Sequence, residues 1–132
     1  MSQENVNTVR RLYDAWEHGD FAAEMQSYDP DVELILDFGP DRTSARGTDA
    51  MRDVWREQLS LWQTWSTGPI EKVVEEGDHV VVSHCLRARS KRGLPVQMDN
   101  AGASFTFKEG RIVRIVATDQ MSKALEAVGL RE

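Results

Sequence analysis

Three observations place this chain in the α+β class, as one curved, mainly antiparallel sheet wrapped around a long N-terminal helix and two or three shorter helices. Apolar residues recur at helical spacing near the N-terminus and again after residue 48. From Ile70 onward the pattern changes to period two. The period-two segments are joined by "GD", "KRG" and "EG", which are hairpin signals. Helices gathered on one face of a single sheet are the economical packing of such an order. A bent sheet around a long helix makes a cone-shaped barrel, and a cone has an interior.

Val6, Val9, Tyr13 and Trp16 mark the first helix, with Ser2 as a cap and Gly19 as its end. Asp20 caps a second, shorter helix, "FAAEMQSY", and "DPD" (Asp29 to Asp31) breaks the chain. "VELILDF" reads as the first strand and "GPDRTSARG" as a loop. A third helix begins near Thr48, carries Met51, Val54, Trp55, Leu59 and Trp62 along one stripe, and ends by Gly68 and Pro69. "IEKVVEE", "HVVVSHCLRARS", "PVQMDNAGASFTFK" and "RIVRIVATD" form the meander, and "SKALEAVG" closes the chain as a short helix.

At 132 residues, 40% hydrophobic and 29% charged, the chain is expected to form one domain over 1–132 with one core. No apolar run approaches the roughly 18–20 residues that span a bilayer, and "MSQENVNTVRR" lacks the apolar stretch of a secretory leader. With the single Cys85, the expected home is the cytoplasm. A net charge of −6 argues against nucleic acid as a partner, and "RARSKR" before Gly93 reads as a solvated hairpin turn. No His, Cys, Asp and Glu cluster has metal-ligand spacing and no glycine-rich phosphate loop is present, so neither a metal nor a cofactor is expected.

Strand alternation gives the lining of the cone. In "HVVVSHCLRA" the more apolar set is Val80, Val82, His84, Leu86 and Ala88, which places His84 inside and Cys85 outside. In the next strand, inward phenylalanines bring Asp99, Ala101, Ala103, Phe105 and Phe107 inward, unless a bulge at Gly102 reverses the phase of Asp99. In the last strand Val113, Ile115, Ala117 and Asp119 face in and Arg114 faces out. Asp119, His84 and Asp99 would thus meet one chamber whose opposite wall comes from Tyr13, Trp16, Trp55, Leu59 and Trp62. An apolar chamber with few polar groups suits a small apolar ligand.

Each candidate also has a structural reading. Asp119 could cap the final helix or act as an acid or base whose pKa burial raises. His84 could simply bond a neighbour or move a proton with an aspartate. Asp99 suits the rim, Asp37 a turn, and Tyr13 and the tryptophans the core.

"VRRLYDAWEHGDF", "YDPDVEL", Arg46–Gly47, "EEGDHVVV", "FKEGRIVRI" and "ALEAVGL" resemble the SnoaL-like branch of the nuclear-transport-factor-two-like, or ketosteroid-isomerase-like, superfamily over nearly the whole chain. The resemblance implies the cone fold, a pocket of the kind used by polyketide cyclases and isomerases, and a homodimer through the outer sheet face. It implies Asp119 as the late-sheet acid or base, with Gln120 the alternative register, and His84 as its helper. Ketosteroid isomerases differ: their base, hydrogen-bonding acid and helix-one tyrosine fall on Leu36, Ala103 and Leu12 here. Two functions are therefore carried forward: acid–base chemistry without a cofactor on an apolar cyclic or carbonyl compound, or a non-catalytic ligand-binding or dimerisation module.

Overall fold

The computed structural model describes residues 2–20, 23–38 and 42–131, the side chain of Ser2 excepted. The Ser2 cap, residues 21–22 of the expected second helix and residues 39–41 of the expected loop lie outside the described residues. Helix α1 (Ser2–Glu17) buries Val6, Val9, Leu12, Tyr13 and Trp16. That is the i, i+3, i+4 stripe of a helix packed on one side. Gly19 ends it with φ 84, and its N–H donates to the Trp16 carbonyl at 2.9 Å, a turn that a residue with a Cβ adopts only under strain.

Of the expected second helix, the described residues form only a 3₁₀ turn, Met25–Ser27. Glu24 just before it sits in the left-handed region at φ 60, which α-helix propagation does not tolerate. Strand β1 (Tyr28–Asp37) begins earlier than expected. "DPD" interrupts its pairing rather than the strand: Asp29 accepts the Asp31 N–H at 2.8 Å, an Asx turn. The stretch expected as a loop contains a short edge strand, β2 (Arg42–Arg46), antiparallel to β1.

Helix α2 (Thr48–Ser60) stops well before Gly68. The chain continues as β3 (Trp62–Glu76), so Trp62 lies on a strand and not on the third helix. "WQTWST" is rich in aromatic and β-branched residues, which pack better on a pleated surface than in a helix. Gly68 and Pro69 mark a bulge, because pairing with β4 (His79–Ser90) shifts between Thr67 and Ile70. A Cβ at Gly68 would stand 2.8 Å from the Cys85 carbonyl oxygen, so the close approach requires glycine there. Strands β5 (Pro95–Lys108) and β6 (Arg111–Thr118) and helix α3 (Met121–Glu126) follow.

The sheet order is β2-β1-β6-β5-β4-β3. Every neighbouring pair is antiparallel except β1 with β6, which is parallel. Three α-helices and six strands form an open, mixed α+β cone among the described residues. Leu12, Leu34, Val82, Phe105 and Ile115, each at most 1% exposed, fill the inner side. None of the described helices is long and apolar enough to cross a membrane.

Helix α3 packs on the opposite face, where Met121, Ala124 and Leu125 join Val81 in a second cluster. Ser83 and Ser104 are each 1% exposed, on the face that α3 occupies.

Candidate functional site

Residues of all six strands and of helices α1 and α2 line two adjoining spaces. The inner one is a cavity of about 30 Å³, and the outer one a chamber of about 320 Å³ that reaches Leu61 and Trp62. Phe38, Trp65 and Leu86 wall both. The inner volume is that of a single water or one ligand oxygen; the outer one suits the body of a small ligand. Among the described residues, no Asp, Glu, Lys or Arg lines either space.

The polar centre of the inner cavity joins residues 71 positions apart. Tyr13 projects from α1, and its hydroxyl lies 3.0 Å from His84 Nδ1 in a buried hydrogen bond. The alternation of β4 puts His84 on this face between Val82 and Leu86, while the helical stripe turns Tyr13 toward it. The rings lie 5.1 Å apart. Burial pushes His84 down to about 4 and raises the Tyr13 hydroxyl above its ordinary value. Both are neutral near pH 7, because charge is costly away from water. When Nδ1 is bare, Tyr13 donates to it. When Nδ1 carries the proton it donates to the Tyr13 oxygen, and Nε2 is left as a base.

Around this pair stand Trp16, Trp55, Ala103 and Phe105, all lining the inner cavity. Trp16 stacks on Phe105 at 6.3 Å and meets Trp55 at 5.9 Å. Trp62 lines the outer chamber and lies 5.6 Å from Trp65. Leu59 is half-buried on α2 and lines neither space, whereas Gln58 and Leu61 line the outer one.

Two expected members of the chamber are elsewhere. Asp99 is exposed, next to Gln97 Nε2 at 2.5 Å and Cys85 Sγ at 3.9 Å. The pairing of β4 with β5 runs His84↔Ala101 and then Leu86↔Met98. One extra β5 residue in that interval reverses the phase, turning Asp99 out and Met98 into the outer chamber. The bulge falls just before Ala101 and not at Gly102.

Asp119 lines neither space. Its Oδ1 lies 2.8 Å from Lys123 Nζ in the first turn of α3, an ion pair across the start of the helix. It is not the cap either: Gln120 holds that position and makes no side-chain cap bond. The chain bends after Thr118, whose hydroxyl donates to the Gln120 carbonyl, and this turns Asp119 toward the helix. A second shift, between Thr106 and Phe107, puts Ile112 in the core, where alternation had placed Val113.

The residues that sequence reasoning missed are Trp65, Thr67, Phe38 and Met98. The first two were hidden by reading β3 as the end of a helix. Their signal was the β-propensity of "WQTWST". Among the described residues no group of three or more His, Cys, Asp and Glu is placed to hold a metal.

Comparison with curated proteins finds no match to the chain. Several solved structures match it in fold. TerC, co-crystallized with polyporic acid, is 18% identical, with 86% of this chain and 89% of that one aligned at a TM-score of 0.75. An NTF2-like protein of unknown function from Burkholderia pseudomallei is 17% identical over 96% of this chain and 98% of that one, at 0.76. A candidate SnoaL-like polyketide cyclase from Jannaschia sp. CCS1 is 20% identical over 88% and 85%, at 0.70. These likenesses concern the fold. The sequence itself matches the SnoaL-like domain over residues 9–115, from the middle of α1 to β6. The chain belongs to the SnoaL-like family.

Proposed function

We propose that this protein binds an uncharged, cyclic, carbonyl-bearing small molecule and catalyses proton transfer on it with His84, using its own side chains. The observation that carries this reading is the buried Tyr13–His84 hydrogen bond of 3.0 Å in a mainly apolar, aromatic cavity. In the working tautomer Nδ1–H donates to the Tyr13 oxygen and Nε2 removes a proton from the carbon beside the carbonyl. The resulting enolate supplies the counter-charge that makes the imidazolium tolerable in a dry site. Returning the proton at another position completes an isomerisation. Attack of the enolate carbon on a second carbonyl would close a ring. The fold likeness to polyketide cyclases and to TerC is consistent with ligands of this shape.

The test is hydrogen–deuterium exchange α to the carbonyl of 2-tetralone, followed by NMR in D₂O. The wild-type chain is expected to accelerate exchange. His84→Gln should lower that acceleration by about a hundredfold and Tyr13→Phe by about tenfold, while Asp119→Asn leaves it unchanged. A second reading, ligand binding without turnover, draws on one observation: no carboxylate lines the cavity among the described residues. Saturable binding of 2-tetralone with no accelerated exchange would select it.

A homodimer belongs to the same proposal. With the middle of the outer face under α3, association would use the neighbouring β5–β6 surface around Thr106 and Arg114. Sedimentation near 30 kDa, twice the chain mass of 15.0 kDa, is the expected result. A strictly monomeric species at micromolar concentration would remove it.

A further inference from the structure

Two residues of the cavity wall each carry a buried hydrogen-bonding atom that has no partner among the described residues: Trp65 Nε1 and Thr67 Oγ1. Thr67 is 5% exposed, so water outside the cavity does not serve it. The other such atoms have different surroundings. Ser83 Oγ lies on the α3 face, and Arg114 Nε and Asp119 Oδ1 sit in ion pairs with Glu33 and Lys123. Buried polar groups are normally satisfied, and one left bare destabilises the chain that keeps it.

Trp65 and Thr67 are two residues apart on β3, so they share one face of the strand. Their strand partners, Ala88 and Leu86, offer no hydrogen bond from their side chains. Trp65 walls both spaces, and Thr67 walls the inner cavity that also holds His84. An indole N–H donates and never accepts. A group that satisfies it must therefore be an acceptor. With no charged side chain in the lining among the described residues, a charged acceptor such as a carboxylate would be buried unpaired, at high cost. A carbonyl oxygen meets both conditions and fits a space of about 30 Å³.

We infer that Trp65 and Thr67 form the carbonyl-recognition pair of this site. They donate to one ligand oxygen seated in the inner cavity, while the ligand's ring system occupies the outer chamber against Trp62 and Met98. The pair selects uncharged aryl or cyclic ketones over hydrocarbons of equal shape. Donors held ready for a carbonyl also stabilise the enolate that forms from it. The inference rests on the pocket of the proposed function and not on its turnover.

The test compares 2-acetonaphthone with 2-ethylnaphthalene, which differ by a carbonyl in place of a methylene, in equilibrium dialysis. Wild type should bind the ketone at least about tenfold more tightly, and Trp65→Phe/Thr67→Val should reduce that ratio to near one by weakening ketone binding alone. The infrared carbonyl band of bound ketone should be lowered in wild type and return toward its hydrocarbon-solvent position in the double variant. Thr67→Val by itself should raise the melting temperature of the ligand-free chain, since it removes an unpaired hydroxyl. Equal affinity of wild type for the two compounds would overturn the pair while leaving the pocket intact. Selectivity that persists in the double variant would also overturn it. Binding of neither compound would overturn both the pair and the pocket.

Discussion

Gly102→Val is expected to detach α3 from the sheet and to cost about 3 kcal/mol or more in urea unfolding at neutral pH. A Cβ at Gly102 would stand 2.6 Å from the Met121 Cα, 3.1 Å from its nitrogen and 3.3 Å from the Ala124 Cβ. The first two are backbone atoms, so no rotamer change relieves them. The helix must move as a whole, and it takes with it the burial of Met121, Leu125 and Val81. Ala124→Gly in the same chain should not rescue the variant, because it removes only the longest of the three contacts. Limited proteolysis separates two results. Cleavage confined to the C-terminal segment means that the cone survives without α3; cleavage throughout means that α3 is part of one cooperative unit. Unfolding identical to wild type would show that α3 does not press on β5 in solution.

The second large effect is a loss of stability in mild acid, owed to His84. Its folded pKa is pushed down to about 4 by burial, against an unfolded value of roughly 6.5. Above pH 6.5 the ring is neutral in both states and titration costs nothing. Between 6.5 and 4 the unfolded chain binds a proton that the folded chain refuses, so stability falls as pH falls. Below about 4 both states are protonated and the loss is complete. At 1.36 kcal/mol per pKa unit, the loss is about 2 kcal/mol by pH 5 and about 3 kcal/mol in full. The check is urea unfolding of wild type and His84→Gln from pH 7.5 to 4. Glutamine keeps a polar group within reach of Tyr13 but does not titrate, so the two curves should converge as pH falls. Parallel curves would mean that His84 is solvated and does not sit in a dry cavity.

The same two residues show what local pattern can and cannot reveal. That His84 points inward and Cys85 outward followed from alternation in "HVVVSHCLRA", because one apolar face of a strand has to be buried. That Tyr13 is buried followed from the spacing of α1. That they touch did not follow from either, since a bond across 71 residues depends on how a helix lies against a sheet. Asp99 and Asp119 failed for the complementary reason. Alternation was extended through a β5 bulge in one case and past the end of β6 in the other. A bulge is decided by the neighbouring strand's register, and Asp119 meets Lys123 because β6 ends at Thr118 and α3 starts at Met121.

Trp65 and Thr67 were out of sight for a further reason. Gly68 and Pro69 look like punctuation between elements, and the helical stripe of α2 runs into Trp62 without a visible stop. The competing signal, a run of aromatic and β-branched residues, gains its energy only from pairing with β4, which a local window does not contain. By itself the sequence determined the class, the helix–strand order of most of the chain, the family and the buried faces of α1 and β4, because these depend on short-range periodicity and solvent avoidance. The tertiary structure alone decided which polar groups meet in the cavity, because one residue of register turns a carboxylate from the interior to the solvent.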